Sequence, residues 1–187
     1  GMHGASCANL AFTETDLIIA VGVRFDDRVT GHIGKFAPKA QIIHVDIDTT
    51  SIGKTVRVDV PIVGNAKDVL NQMNQLVHKL EIESWINQIQ KWKEECPYQY
   101  KQYDNSIMPQ CVVEQIYEVT KGDATIVVDV GQNQMWAAQY YKYTKPRQFL
   151  NSGGLGTMGY SLPASIGAQI GQPEHLIVNI TGDGGFM

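Results

Sequence analysis

Leu176-Ile177-Val178-Asn179-Ile180-Thr181-Gly182-Asp183-Gly184-Gly185-Phe186 runs from a short apolar stretch straight into an acid set among glycines. An apolar run of that length reads as a buried strand, and residues released at the carboxyl end of a parallel strand are those that meet ligands. Asp183 suits a divalent cation there, and Gly184 and Gly185 let backbone N–H groups approach phosphate oxygens closely. Read alone, Gly182 to Gly185 fits a tight turn equally well, because Asp-Gly is a favoured hairpin dipeptide. The rest of the chain decides between the two.

Working back from that stretch, apolar segments rich in Val and Ile alternate with helical ones. Strands are predicted over residues 17–23, 41–47, 61–64, 124–130 and 176–181, each bounded by Gly, Asp or Pro. Helices are predicted over 66–80, with Val69, Leu70, Met73, Leu76, Val77 and Leu80 at helical spacing, and over 109–120, with Pro109 in its first turn. Shorter helices are expected over 84–93 and 161–170, and Asp48 is placed to cap a helix starting near Thr49. Such alternation implies an α/β fold: two consecutive doubly wound units, each a parallel sheet covered by helices. A polar, tyrosine-bearing segment breaks the rhythm before residue 108, so residues 82–107 read as the connection between the units.

Composition narrows the function. Hydrophobic residues at 43% and charged residues at 18% fit a packed globular chain. The net charge of -4 lacks the concentrated basic face that nucleic-acid binding needs. No apolar run approaches the roughly 20 residues that span a bilayer, so no membrane partner is expected. Cys7, Cys96 and Cys111 are odd in number and far apart, with no Cys-x-x-Cys pair for zinc or dithiol chemistry, which fits buried thiols in a reducing, cytoplasmic setting.

Chemistry-bearing residues gather where strands end. Gly22-Val23-Arg24-Phe25-Asp26-Asp27-Arg28 follows the first strand, and Asp46 and Asp48 end the second. In a nucleotide-binding sheet the first of these loops meets phosphates and an acid on the neighbouring strand accepts ribose hydroxyls; the flat, bidentate guanidinium groups of Arg24 and Arg28 suit phosphate or a ring. A loop laced by surface ion pairs is the alternative, and no Gly-x-Gly-x-x-Gly fingerprint is present. In the second half, Gly131-Gln132-Asn133 ends one strand and the glycine-dense Ser152-Gly153-Gly154-Leu155-Gly156-Thr157-Met158-Gly159 opens a small-residue helix. With Asp183, three successive strand ends carry ligand-like chemistry within about sixty residues, the pattern of a site at the carboxyl edge of a sheet.

Together, Gly22 to Arg28, Val130-Gly131-Gln132-Asn133-Gln134-Met135-Trp136, Ser152 to Gly159 and Gly182 to Phe186 resemble the acetolactate synthase (acetohydroxyacid synthase) large-subunit family of thiamine diphosphate enzymes. The likeness covers essentially the whole chain, including Gly1-Met2-His3-Gly4. It implies that residues 1–81 are part of a central FAD-binding domain, 82–107 a connecting helix and linker, and 108–187 the first half of a thiamine diphosphate-binding domain. It implies thiamine diphosphate, Mg2+ and FAD as cofactors, the flavin being largely structural.

By position, Gly1, Met2, His3, Gly22, Val23, Arg24, Phe25, Asp26, Asp46, Ile47, Asn65 and Ala66 match FAD contacts in that family. Asp27 and Arg28 match positions near the substrate channel. Gly131, Gln132, Asn133, Gly156, Thr157, Met158, Gly184 and Gly185 match thiamine diphosphate contacts, Asn133 standing where a His is common, and Asp183 matches the first magnesium ligand. His32, His44, His78 and His175 match no catalytic role and read as surface or strand residues.

The implied reaction condenses pyruvate with pyruvate or 2-oxobutyrate, with loss of carbon dioxide, in branched-chain amino acid biosynthesis. A homodimer or larger assembly and a regulatory small subunit are the partners implied for the parent enzyme. Since further metal ligands and the pyrimidine-binding domain are not among these residues, the resemblance implies a fragment that is inactive by itself. Two alternatives stay open: an FAD or nucleotide-binding module or an inactive truncated relic, in either case without catalysis, and another thiamine diphosphate carboligase or 2-oxo acid decarboxylase.

Overall fold

A computed structural model describes all 187 residues. The chain divides into two compact α/β units, Gly1–Pro97 and Tyr98–Met187.

In the first unit, helix α1 (Ser6–Glu14) leads into strand β1 (Leu17–Val21), a helical turn α2 (Asp27–Thr30) and a 3-10 turn (Ile33–Lys35). Strands β2 (Gln41–Asp46) and β3 (Val60–Val63) follow, then helices α3 (Ala66–Leu76) and α4 (Glu83–Glu95). The three strands lie in the order β1-β2-β3 and are all parallel, with Val21 opposite Val45 and Asp46 opposite Val63. Consecutive side chains of a strand point to opposite faces, so one face collects Ile18 and Ala20 of β1 with Ile42 of β2. Phe25, Ala37 and Val56 complete that core, and Phe12 of α1 packs against it. The parallel register brings residues 22–26, 46–47 and 64–66 to one edge of the sheet.

In the second unit, α5 (Pro109–Thr120) precedes β4 (Thr125–Val128), α6 (Gln132–Tyr140), β5 (Phe149–Asn151), α7 (Ser161–Gly171), β6 (Ile177–Ile180) and a short turn α8 (Asp183–Phe186). The order is β5-β4-β6, again all parallel. The connection from β4 to β5 and that from β5 to β6 cross the sheet in opposite directions, so right-handed crossovers place α6 and α7 on opposite faces. All four residues of β4 are accordingly buried, as a continuous apolar run requires. Ile126 and Val128 pack with Val113, Ala137 and Tyr141.

Several sequence expectations are corrected in detail. The helix expected to reach Leu80 stops at Leu76: Leu76, Val77 and Leu80 are all exposed, so no packing holds a last turn. No helix begins at Thr49; the Asp48 carboxylate accepts the N–H of Thr50 at 2.9 Å and the hydroxyls of Thr50 and Ser51, closing a turn. Four of the strands are one to three residues shorter than their apolar runs, and β3 keeps the expected length but starts one residue earlier, at Val60.

Helix α1, helix α6 and strand β5 were not foreseen. Helix α6 has apolar and polar residues scattered around its circumference, so no periodic stripe announces it. Strand β5 has three residues and is held from outside by buried Gln148. That side chain accepts the N–H groups of Thr144 and Lys145, each at 2.9 Å, and donates to the Gly122 carbonyl at 2.9 Å. Residues 98–107 lie on the second unit: Tyr98 and Tyr100 pack on Tyr140, and the Tyr100 hydroxyl donates to Glu114 at 2.6 Å. Helix α4 packs against α1 of the first unit.

Candidate functional site

At the carboxyl edge of the first sheet the chain leaves β1 through Gly22, at φ +64, and Phe25, at φ +51. A positive φ in a bulky residue carries strain that surrounding structure must hold. Here the Phe25 ring does so: it is 3% exposed and stands edge-on to Phe36 at 5.8 Å and His44 at 5.2 Å. Asp26 then caps α2, accepting the Val29 N–H at 3.3 Å, while Arg24 pairs with Asp26 at 3.5 Å and Arg28 with Asp27 at 2.6 Å. Both pairs are largely exposed, so their value is in aiming the guanidinium groups rather than in stability.

The Met2 N–H donates to the Arg28 carbonyl at 2.9 Å, which draws Gly1 and Met2 to the 26–28 segment. A cleft of about 350 Å³ opens there, lined by Gly1, Met2, Asp27, Arg28, Lys35 and Phe36 among others. Asp46 ends β2 with one oxygen accepting the Asp48 N–H at 2.9 Å, and Ile47 beside it is exposed. Asn65 caps α3 through the Lys67 N–H at 2.9 Å, so its side-chain oxygen is engaged locally. A Cβ on Gly22 would meet no atom within 4 Å, leaving room for a ligand to approach the backbone.

The second sheet assembles its strand ends more tightly. Between β4, whose crossover leaves toward β5, and β6, reached from the other side, lies the crevice where connections diverge, the place where open α/β sheets bind ligands. Gly131 to Asn133 stand on one side of it and Gly182 to Gly185 on the other. Asn133 Nδ2 donates to the Ile180 carbonyl at 2.9 Å, and Gln134 Nε2 donates to Asn151 Oδ1 at 3.2 Å, so the start of α6 is tied to the ends of both neighbouring strands. The glycine loop is held by Ser152, whose carbonyl accepts the Gly156 N–H at 2.9 Å and whose hydroxyl accepts the Thr157 N–H at 3.0 Å.

Met158 is 54% exposed and so is no core residue; its Cε lies 3.4 Å from where a Cβ on Gly184 would stand. Asp183 is exposed, accepts the Gly184 N–H at 2.9 Å, and leaves its second oxygen free of protein partners. The N–H groups at the start of α6 are the donors a helix leaves unpaired, and they attract anions.

Asp129, absent from the residues singled out in the sequence, is the best-held acid of this unit. Burial pushes its carboxyl up, but the N–H groups of Ser161, Val130 and Gly159 more than offset that and hold it below the usual carboxylate range. The signal for it in the sequence is an acid closing a run rich in Ile and Val, Ile126 to Val128.

This sheet order, with glycine loops at three adjacent carboxyl ends, agrees with two family matches. Residues 1–73 match the thiamine pyrophosphate enzyme central domain, and residues 129–187 match the thiamine pyrophosphate enzyme C-terminal TPP binding domain. The class is thus that of the thiamine pyrophosphate enzymes. The chain is 49% identical over 188 residues to the acetolactate synthase large subunit of Buchnera aphidicola subsp. Acyrthosiphon pisum, covering 98% of this chain and 33% of that relative. It is 48% identical over 191 residues to acetolactate synthase isozyme 3 large subunit of Escherichia coli, with the same coverage. To the chloroplastic acetolactate synthase 1 of Nicotiana tabacum it is 46% identical over 193 residues, 100% of this chain and 29% of the relative. Within its class the chain belongs to the acetolactate synthase large-subunit family. It spans about a third of the length of these curated relatives.

Proposed function

We propose that these residues supply part of an FAD site and part of a thiamine diphosphate and magnesium site in an acetolactate synthase large subunit. The activity belongs to the whole protein: condensation of pyruvate with pyruvate or 2-oxobutyrate, with loss of carbon dioxide. The observation that carries this reading is the cross-tied crevice between β4 and β6, with the free carboxylate oxygen of Asp183 beside backbone N–H groups. A homodimer or larger assembly, a regulatory small subunit and a cytoplasmic setting belong to the same reading; for the last, the support is three cysteines with no disulfide between them. No helix is long and apolar enough to cross a membrane.

The residues present fit the implied groups. A Cβ on Gly182 would meet no atom within 4 Å, so the β6 end is open to close approach, and Asp183 offers the hard oxygen that magnesium takes. When bound, thiamine diphosphate supplies the electron sink for decarboxylation, and the protein supplies orientation and electrostatics. Gln132 and Asn133 would receive diphosphate oxygens on their N–H groups, Asp183 would hold the cation, and Gly156, Thr157 and Met158 would line the remainder of the cofactor. In the first unit Gly22 to Asp26, Asp46, Ile47, Asn65 and Ala66, with Gly1, Met2 and His3, would hold FAD, and Asp27 and Arg28 would face the substrate channel.

Calorimetric titration with thiamine diphosphate and Mg2+ tests the reading: saturable, Mg2+-dependent heat is expected, and its absence under conditions where the second unit is folded overturns binding by these residues. Asp183 is the single carboxylate these residues offer the cation, so a polypeptide of these residues alone is expected to form no acetolactate from pyruvate with all three cofactors added, and measurable turnover would refute that. A second reading, an FAD or nucleotide-binding module with the later unit as scaffold, is favoured by the cleft at Gly1, Met2 and Arg28. Flavin absorbance that survives purification, without any response to thiamine diphosphate, would select it.

A further inference from the structure

Asp129 is fully buried, and the cofactor reading gives it no task. One oxygen accepts the N–H groups of Val130 at 2.7 Å and Gly159 at 3.2 Å; the other accepts the Ser161 N–H at 3.0 Å. Val130 continues β4, Gly159 closes the glycine loop at φ +81, and Ser161 is the first residue of α7. On its remaining side the carboxylate meets the turn after β6. A Cβ on Gly185 would come within 2.5 Å of its Cγ and 2.7 Å of Oδ1, so the Gly185 backbone lies directly against it. The Gly185 carbonyl in turn lies 3.8 Å from where a Cβ on Gly159 would stand. One anion thus touches the ends of β4 and β6 and the loop that opens α7.

A carboxylate suits this place for a reason no neutral side chain shares. It accepts on both oxygens and donates nothing, so it can satisfy backbone donors arriving from two loops at once. An amide of the same shape has one accepting oxygen, and its NH2 would face an N–H group head-on. Whichever way it turned, one of the two attachments would be lost. The negative charge also stands at the first turn of α7, where the helix dipole favours it.

We infer that Asp129 is a positioning residue that sets the spacing between the 152–160 glycine loop and the Asp183–Phe186 turn, and so how a diphosphate and its cation are received between them. The inference rests on the thiamine diphosphate reading for its ligand, but the coupling of the two loops stands on the geometry alone.

Amide hydrogen exchange and calorimetry on the chain and its Asp129→Asn variant separate the two. Asp129→Asn keeps the side-chain volume and should speed exchange at Gly159 and Ser161. It should also speed exchange at Gly185 and Phe186, whose N–H groups donate to the Gly182 carbonyl and make no hydrogen bond to Asp129. The expected rise is about tenfold or more, the scale of one lost charge-assisted hydrogen bond. Exchange in Gly1–Pro97 and in α5 should stay as in the parent, and affinity for thiamine diphosphate with Mg2+ should fall about tenfold.

A rise confined to Gly159 and Ser161, or affinity equal to the parent's, overturns the inference. If the parent chain itself gives no heat, the thiamine diphosphate reading fails for these residues. The exchange data then decide alone: a rise at Gly185 and Phe186 upholds the coupling, and no rise there ends it. Asp129→Ala, which removes both accepting oxygens, should exceed Asp129→Asn at all four amides, and the reverse order also overturns the inference.

Discussion

A buried carboxylate keeps its charge only where donors replace the water it has lost, and Asp129 meets that condition with three backbone N–H groups. Because its folded pKa lies below its unfolded value of 3.8, the group adds stability that is fully present above about pH 4 and is lost as pH falls through the folded value. Urea unfolding of the second unit should therefore weaken steeply in acid, and Asp129→Asn, less stable near neutrality, should show a shallower acid limb. Parallel limbs in the two proteins would contradict the assignment. Asp183 is the opposite case: exposed, with one oxygen free, it holds nothing together. Asp183→Asn should leave the unfolding free energy from urea titration within about 0.5 kcal/mol of the parent while removing the Mg2+ dependence of thiamine diphosphate binding. Both acids sit at strand ends in the sequence, yet only burial and donor count tell the one that builds the site from the one that faces it.

At the scale of elements, most of what strong periodicity announces is present: α5 spans the residues predicted, and β4 lies inside its apolar run. What escaped lacked a local pattern. Strand β5 exists because Gln148 fixes the backbone before it with three bonds to residues 122, 144 and 145. Gln148→Leu would bury those groups unpaired, so a loss of about 2–4 kcal/mol in the urea stability of the second unit is expected. A loss under 1 kcal/mol would mean that water replaces the amide. Helix α6 carries no apolar stripe because its neighbours differ around its circumference: Ala137 faces the core with Ile126, Asn133 reaches Ile180, and Tyr140 receives the rings of Tyr98 and Tyr100. Its position is set by contacts distant in sequence, which a window of neighbouring residues does not contain.

For the whole molecule, the exposed apolar residues are the feature with consequences in solution. Leu162, Ile166 and Ile170 follow one another at four-residue spacing along α7, and all three are exposed, as is Leu176 just before strand β6. Contiguous apolar surface of this kind drives association. Sedimentation should show the chain self-associating as concentration rises, and replacing Ile166 and Ile170 by polar residues should lower that tendency without lowering the melting temperature by more than a few degrees. The alternation of Val- and Ile-rich runs with helical stretches was enough for two parallel α/β units, because strand and helix periods are local properties of the chain. The glycine-flanked acids were enough for family, because close backbone approach to a ligand leaves few residue choices. Which side chains cross between loops was decided only in three dimensions. Asn133 engages Ile180, 47 residues away, and Asp129 reaches Gly159 and Ser161 across 30 and 32 residues. Such bonds depend on the order β5-β4-β6, which with right-handed crossovers covers both faces of β4; that arrangement is a property of the folded sheet rather than of any short stretch of residues.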